Sequence, residues 1–505
     1  MAAQHIVMLP FPAQGHLIPF VALAKLIEQR TDHTITITIL TTQQNIPTLR
    51  SSLPPDTSIR LAALPFNPSD HGLPPHAQNT DSLPTALFVK LLHASQSLQP
   101  SFQSFITHLS QSQGPPLCII ADVFFGWTVD VARKLGIFHT VFTTCGGYGT
   151  AAYFSLWLHL PHTKTDADDF PLPGWPDSIR FHRTQMSYYM RAADGKDPWS
   201  AVLSPQISLS LKSDGMLCNT VEEMESTGVE ILRRFAGLPV WCVGPLLPPS
   251  LLSPSSASKT VVSQSRSGKK LGISVELCTE WLNHRRPSSV LYVSFGSQNT
   301  ISASQMMELA RGLEASEQDF IWVIRPPIGF DINGEIMAEC LPEGFEERVS
   351  KEKKQGLLVR GWAPQVDILA HGSTGAFLSH CGWNSVQESL SQGLPLIGWP
   401  LASDQFYNTK MLEEEMGVCV EVARGSGSEV SGEKVRRVIE MVMGETEKGE
   451  EMRRKAMEAR EMLRAGMREE GGGRSGSSIA AVDDFIKAAV AAAAAAAASA
   501  CREEI

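Results

Sequence analysis

Short apolar runs rich in β-branched residues alternate with longer amphipathic segments in the first half of the chain. We predict helices at Leu17–Arg30, Ser82–Leu109 and Trp127–Leu135. The predicted strands are His5–Pro10, Thr34–Thr41, Ile59–Leu64, Leu117–Ala121 and Ile137–Phe142. Strands that alternate with helices in this way predict βαβ units and a parallel sheet.

A second series of the same kind begins near Val290. Its predicted helices are Ala303–Ala315, Asn384–Gln392 and Gln405–Met416, and charged helices follow as far as Met467. Its predicted strands are Val290–Phe295, Phe320–Ile324, Leu357–Arg360, Ala376–Ser379, Leu394–Gly398 and Val418–Val422. The chain is therefore predicted to be an α/β protein with two doubly wound, Rossmann-like domains.

The alternation stops between Pro245 and Lys270, where Pro, Ser and Gly residues leave little to bury, and this predicts a linker. We place the first domain at residues 1–245, the linker at 246–275, the second domain at 276–476, and a C-terminal helix with an alanine-rich tail at 477–505. Open α/β sheets bind ligands outside the carboxyl ends of their strands. Two such sheets facing each other would place a cleft between them.

Composition narrows the class of protein. The 505 residues include 43 Lys and Arg against 53 Asp and Glu, and no basic block is long enough to follow a phosphate backbone, so we expect no nucleic-acid partner. The nine cysteines are scattered without a C-x-x-C pair, which is typical of reduced thiols. We find no signal peptide and no apolar run long enough to span a bilayer. These features predict a cytoplasmic protein with no transmembrane segment, and we expect a monomer.

Familiar nucleotide and hydrolase motifs are missing or misplaced. Gly471–Gly476 matches G-x-G-x-x-G but follows a charged helix, whereas a dinucleotide loop follows a strand. Walker A, G-x-S-x-G and H-E-x-x-H patterns do not occur. An NAD-dependent oxidoreductase would need a glycine fingerprint after the first strand, and Pro10-Phe-Pro-Ala-Gln-Gly15 is not one.

His16 and Asp122 each lie at the carboxyl end of a predicted strand. If both strands belong to one parallel sheet, the two side chains emerge at the same edge. A carboxylate behind an imidazole fixes the tautomer and leaves the other ring nitrogen available as a general base. Both positions also suit residues that merely cap the following helices, so a structural role stays open.

The segment from Trp362 to Gln405 contains the residue types that a nucleotide sugar requires. These are a flat ring for the base, groups for its polar edge, a helix N-terminus for a diphosphate, a carboxylate for ribose and short polar groups for a hexose. In that order the residues are Trp362; Ala363 and Gln365; His380, Asn384 and Ser385; Glu388; and Asp404 with Gln405. Taken singly, each also has an ordinary explanation as a core residue or a helix cap.

This segment resembles the signature box of plant secondary-product UDP-glycosyltransferases of family 1. The resemblance extends to Pro-x-x-Gly-His16, the Asp122 strand end, Gly244-Pro245, Trp281-Leu282 and Ser294-Phe-Gly-Ser297. It implies the two-domain GT-B fold, with an N-terminal acceptor domain, a C-terminal donor domain and a final helix that returns to the first domain.

Carried over by position, the resemblance implies a complete donor site. Trp362 would stack on uracil, and Ala363 and Gln365 would read its edge. The implied diphosphate ligands are Ser297, His380, Asn384 and Ser385, the ribose ligand is Glu388, and the sugar contacts are Trp383, Asp404, Gln405 and Thr144. Gln405 ends the box where galactosyl enzymes tend to carry His, which favours UDP-glucose.

The resemblance also implies metal-independent, inverting chemistry with UDP-glucose as co-substrate and no cofactor. His16, oriented by Asp122, would deprotonate an acceptor hydroxyl that attacks the anomeric carbon and forms a β-glucoside. We expect the acceptor to be a small plant secondary metabolite, first a flavonoid or flavonoid glycoside, with terpenoid or phenylpropanoid alcohols as alternatives. The candidate acceptor-pocket residues are Phe124, Phe125, Trp127 and Tyr148. A non-catalytic nucleotide-sugar-binding protein is the alternative from another class.

Two features depart from the family pattern. Gly15 stands before His16 where the family often has Ser or Thr. The alanine tract after Lys487 has no family role, and we expect it to be dispensable.

Overall fold

A computed structural model describes residues 4–81, 83–252, 271–330, 334, 336–469 and 475–503. The chain forms two compact units. The first contains Met1–Phe181, Tyr189–Leu246 and Ala465–Ile505, and the second contains His182–Tyr188 and Leu247–Arg464. The predicted α/β class with two parallel, Rossmann-like sheets is confirmed.

The first unit is built on a seven-stranded parallel sheet with the order β3-β2-β1-β4-β5-β8-β9. Its strands are β1 (Gln4–Leu9), β2 (Ile35–Thr42), β3 (Arg60–Leu64), β4 (Cys118–Asp122), β5 (Phe138–Thr143), β8 (Gly215–Cys218) and β9 (Val240–Cys242). Strands β6 (Asp169–Pro171) and β7 (Arg180–His182) form a separate pair. The chain adds β2 and β3 on one side of β1 and then adds β4 on its other side, so the strand order changes direction at β1. Such a switch point opens a crevice at the carboxyl edge.

The second unit contains a six-stranded parallel sheet with the order β12-β11-β10-β13-β14-β15. Its strands are β10 (Val290–Ser294), β11 (Asp319–Ile324), β12 (Gly356–Arg360), β13 (Thr374–Ser379), β14 (Leu396–Gly398) and β15 (Cys419–Glu421). Along β10, Leu291 and Val293 join one buried cluster while Val290 and Tyr292 join the other. The sheet is therefore covered on both faces, which explains why its strands read as continuous apolar runs.

Helices connect the strands in both units. In chain order they are α1 (Gln14–Arg30), α2 (Ile46–Ser52), α3 (Phe88–Ser95), α4 (Gln99–Gln113), α5 (Thr128–Lys134), α6 (Gly147–His159), α7 (Tyr188–Arg191), α8 (Pro198–Ser210), α9 (Ser226–Ala236), α10 (Pro249–Leu252), α11 (Val275–Asn283), α12 (Ala303–Ala315), α13 (Phe345–Glu347), α14 (Gln365–Leu369), α15 (Trp383–Ser391), α16 (Gln405–Lys410), α17 (Gly432–Met443), α18 (Glu447–Gly466) and α19 (Ser477–Glu503).

Several predicted elements need correction. The single helix predicted over 82–109 is two helices, α3 and α4, because Pro100 lacks an amide hydrogen and occupies the first turn of a new helix. Strands β8 and β9 were missed because runs of three or four residues are too short to show a period. Of the predicted linker, residues 253–270 lie outside the described residues, while Leu251 packs on Val366 of the second unit. Gly471 to Arg474 of the glycine motif also lie outside them.

The C-terminal helix α19 packs on the core of the first unit. Val482, Phe485 and Ala489 are buried in the same cluster as strands β1 and β2, and Arg30 forms two hydrogen bonds to Asp483, of 2.9 and 2.7 Å. Burial continues past Lys487, whereas residues 494–499 are exposed. Truncation after Lys487 would remove the buried residues that follow it, and whether the tract is dispensable stays a prediction. In the described part of the chain, no helix is long and apolar enough to cross a membrane.

Candidate active site

The side chains of His16 and Asp122 meet at the switch point of the first sheet. Leu9 pairs with Ala121 across β1 and β4, so the ends of the two strands lie side by side. His16 lies in the first turn of α1, and its Nδ1 is 2.6 Å from Asp122 Oδ2, although 106 residues separate the two along the chain. The Asp122 side chain is fully buried, while that of His16 is 19% exposed. One ring nitrogen thus faces the carboxylate, and the ring stays accessible from outside.

The carboxylate of Asp122 is fixed by the backbone. The amide of Phe11 donates to Oδ2 at 3.3 Å, and the amide of Phe124 donates to Oδ1 at 3.1 Å. The second of these bonds caps the turn Val123–Phe125, so the helix-cap role that the sequence left open is also present. The same side chain therefore caps a turn and orients an imidazole.

Aromatic rings surround His16. The ring centroids of Phe11 and Phe124 lie 5.6 and 5.3 Å from that of His16, and 5.2 Å from each other. Phe11 was missed at the sequence level, although it stands in the short segment just before His16. A further line of rings continues from Phe11 through Phe88 to Trp199. We call Phe11, His16, Asp122 and Phe124 the first-sheet site.

The other three residues considered for the acceptor pocket are buried, as Phe124 is, but their rings pack on other partners than His16. Phe125 and Trp127 pack on each other, and Trp127 also packs on Phe102. Tyr148 packs edge-on against Trp175 with ring centroids 4.7 Å apart. Of the four candidates, Phe124 is thus the one whose ring pairs directly with that of His16. Thr144 is buried just after β5, where its carbonyl accepts from Asn219.

Most of the predicted donor ligands lie at the carboxyl edge of the second sheet, again around its switch point. Three strands of this sheet are each followed by one predicted ligand: Trp362 follows β12, Ser297 follows β10 and His380 follows β13. We call the following set the second-sheet site: Ser297, Trp362, Gln365, His380, Ser385 and Glu388. Ala363 belongs to the same segment, and its carbonyl accepts from the Gln365 amide at 2.8 Å.

The side chain of Gln365, which begins α14, connects this helix to α15 and β10. Its Nε2 donates to Glu388 Oε2 at 2.6 Å and to Ser385 Oγ at 3.1 Å, and its Oε1 accepts from the Tyr292 hydroxyl at 3.2 Å. Glu388 and Ser385 are both nearly buried on α15. The network fixes the predicted base-reading and ribose-binding side chains relative to each other.

His380 occupies a tight position at the end of β13. Cβ atoms placed on Gly296 or Gly382 would each lie 2.5 Å from His380 Nε2, so the ring requires glycine on both sides. Burial, together with the positive charge of Arg325, lowers the pKa of His380 to about 4. The imidazole is therefore neutral at pH 7 and can serve as a hydrogen-bond donor without carrying charge.

Helix α15 begins directly beside His380. Its N-cap is Gly382, which offers no side chain to cap the helix, and Trp383, Asn384 and Ser385 form the first turn. Amide groups at such an end, together with the helix dipole, favour an anion. This is the arrangement that a diphosphate requires.

Asp404 and Gln405 follow β14 and open α16. Gln405 Oε1 accepts from the amides of Leu401 and Ala402 at 3.0 and 2.9 Å. Asn408 Nδ2 donates to Asp404 Oδ2 at 2.7 Å and to the carbonyl of Cys381 at 3.0 Å. Asn408, which sequence reasoning missed, thus ties the predicted sugar contact to the segment that holds His380. Among the described residues, no group of three or more His, Cys, Asp or Glu side chains could hold a metal ion.

Comparison with known proteins identifies the family. A family model described as UDP-glucoronosyl and UDP-glucosyl transferase matches residues 269–457. Crocetin glucosyltransferase 3 of Crocus sativus is 48% identical over 479 residues, covering 94% of this chain and 96% of that protein. The chain belongs to the plant family 1 UDP-glycosyltransferases. Its predicted membership and its class as a glycosyltransferase enzyme are confirmed.

Solved structures of other plant UDP-glycosyltransferases share the fold. The Glycyrrhiza uralensis enzyme UGT73P12, complexed with glycyrrhetinic acid 3-O-monoglucuronide, matches with a TM-score of 0.82 and 31% identity over 99% of both chains. Phytolacca americana UGT2, complexed with UDP-2fluoro-glucose and pterostilbene, matches with a TM-score of 0.73 and 28% identity over 96% of this chain and 100% of that one.

Proposed function

We propose that this UDP-glycosyltransferase is an inverting, metal-independent O-glucosyltransferase that transfers glucose from UDP-glucose to a hydroxyl of a small aromatic plant metabolite. The observation that carries the proposal is the 2.6 Å contact between His16 Nδ1 and the buried carboxylate of Asp122. It leaves Nε2 as the proton acceptor and supports the imidazolium that forms when a proton is taken.

In the proposed reaction His16 Nε2 removes the proton of the acceptor hydroxyl. The oxygen then attacks the anomeric carbon of UDP-α-glucose in line, the bond from that carbon to the diphosphate oxygen breaks, and UDP leaves. The product is a β-glucoside. The amides at the start of α15 and the neutral His380 support the growing charge on the leaving diphosphate.

The donor roles follow the network of the second unit. Trp362 stacks on uracil, Glu388 accepts from the ribose hydroxyls, and Gln365 aligns the two regions through its bond to Glu388. Ser297, His380, Asn384 and Ser385 hold the diphosphate. The proposed sugar contacts are Trp383, Asp404, Gln405 and Thr144.

The surroundings of His16 support the proposed acceptor class. Phe11 and Phe124 give the base an aromatic frame, which suits a flat phenol such as a flavonoid or a flavonoid glycoside. The 48% identical relative is named for crocetin and a structural relative holds pterostilbene, so both compounds belong in the acceptor test together with phenylpropanoid and terpenoid alcohols.

The test measures UDP release and product mass for the purified chain with UDP-glucose and this acceptor panel, before and after treatment with EDTA. We expect a mass gain of one hexose on phenols, a β-anomer by NMR, equal turnover with EDTA, and a preference for UDP-glucose over UDP-galactose. Tight UDP-glucose binding without any product would favour a non-catalytic nucleotide-sugar-binding protein. A product from crocetin alone would replace the phenol proposal.

A further inference from the structure

Four neighbouring strands of the second sheet end at the same edge, and each contributes one side chain there. In the order of the sheet these are Trp362 after β12, Arg325 after β11, Ser297 after β10 and His380 after β13. Sequence reasoning assigned a donor role to every member of this row except Arg325. Arg325 is also the cation of the row.

The structure fixes Arg325 against its neighbours on both sides. Its Nη1 donates to the carbonyl of Ser297 at 2.6 Å, and its guanidinium carbon lies 5.9 Å from the centroid of the Trp362 ring. The next residue is also held, because the Thr300 hydroxyl donates to the carbonyl of Pro326 at 2.9 Å. The side chain therefore spans the positions proposed for the base and for the diphosphate.

Arg325 differs from the proposed diphosphate ligands in carrying a full positive charge. His380 is neutral at pH 7 because burial and the nearby Arg325 charge hold its pKa at about 4. Ser297, Asn384 and Ser385 are uncharged, so they and the helix dipole supply only partial charges. A guanidinium is permanently charged and presents its donors in a planar fork that matches phosphate oxygens.

We propose that Arg325 binds the diphosphate of the UDP-sugar and stabilises its negative charge as UDP leaves. This inference rests on the proposed function, since it assumes that UDP occupies the second-sheet site. The hydrogen bond to Ser297 orients the guanidinium and at the same time holds the loop after β10 in place.

The experiment compares Arg325→Met, Arg325→Lys and Arg285→Met by titration calorimetry with uridine, UMP and UDP. Arg285 is a matched control, because it also lies over a tryptophan, with its guanidinium carbon 4.1 Å from the Trp281 ring, but contacts Asp319 at the opposite end of β11. Loss of a charge-assisted contact should weaken UDP binding by about tenfold or more in Arg325→Met. Uridine binding should change by less than about threefold, and Arg325→Lys should recover part of the UDP affinity.

The second measurement is turnover with UDP-glucose. In Arg325→Met we expect a lower kcat as well as a higher KM, because charge on the diphosphate grows in the transition state. Equal weakening of uridine and UDP would overturn the proposal and make Arg325 a support for Trp362. Unchanged UDP binding would overturn it too. If the wild-type chain binds uridine and UDP equally weakly, the proposed function fails before the role of Arg325 is reached.

Discussion

The first-sheet and second-sheet sites occupy the same place in their sheets but are built differently. Both lie where the strand order changes direction, at the carboxyl edge. The first depends on a single hydrogen-bonded pair, with one carboxylate fully buried behind one imidazole. The second distributes its contacts over the ends of three strands and over two helices, with Gln365 at the centre of its network.

This difference matches the proposed roles, proton transfer at the first-sheet site and ligand binding at the second-sheet site. Proton transfer needs one group in one tautomer, so a single substitution in the first-sheet site should remove most of the rate. Binding of a large polar ligand adds many modest contacts, so substitutions in the second-sheet site should lower affinity in steps.

The largest expected effect is that of His16→Ala. Without the base, kcat should fall by about 10²–10⁴-fold, while the Kd for UDP stays unchanged because UDP is assigned to the second unit. Asp122→Asn removes the orienting charge but leaves the imidazole, so it should retain more turnover than His16→Ala. Steady-state kinetics and titration calorimetry check this, and near-wild-type turnover in His16→Ala would remove the proposed role.

The variant Gly382→Ala should disturb the second-sheet site by adding one methyl group. Gly382 has φ −62°, which alanine adopts freely, but its Cβ would lie 2.5 Å from His380 Nε2. Displacing that ring should weaken UDP binding by about tenfold. Gly372→Ala is the control, because a Cβ there meets no atom within 4 Å. Equal UDP affinity of both variants would show that His380 does not bind the diphosphate.

The two units should lose different amounts of folding stability in acid. Burial lowers the pKa of His139 to about 3 and that of His5 to about 4, both in the first unit, while His380 in the second is held at about 4. Unfolded histidines titrate near pH 6.5, so stability is complete above that pH and decreases as pH falls towards about 4, because the unfolded chain binds more protons.

Calorimetry between pH 7.5 and 4.5 measures this loss. We expect the first unit to lose more stability than the second. The substitution His139→Gln should flatten the pH dependence of the first unit's stability, although it removes the hydrogen bonds to Thr128 and Ser213. His108→Gln, at an exposed position, should keep the wild-type slope. If stability depends on pH as steeply in His139→Gln as in the wild type, His139 is not a source of the acid sensitivity.

The smallest effect concerns the C-terminal tract. Ala489 is 1% exposed within the core of the first unit, and Val490 and Ala493 pack against it. Truncation after Lys487 should therefore lower the Tm of the first unit by about 2–4 °C, whereas truncation after Ala493 should change it by less than about 1 °C. Equal Tm values for both truncations would show that the buried alanines add nothing.

Fold class and family can be inferred from the order of residues along the chain. Strand and helix periods give the order of elements, and the rule that parallel strands end at one edge was enough to pair His16 with Asp122. The donor box could be found because Trp362 to Gln405 form one continuous segment. Local order and spacing contain this information, so no tertiary contact was needed.

The side chains that surround these groups are known from the packing of the folded chain. Phe11 packs beside His16 while Trp127 packs on Phe102 and Tyr148 on Trp175, although all three are buried aromatic residues near strand ends. Arg325 stands between Ser297 and Trp362 because β11 lies between β10 and β12. Ala489 is buried because α19 packs on the first sheet. Such contacts depend on which strands become neighbours and on how distant segments pack, and a pattern of residue types along one chain does not record either.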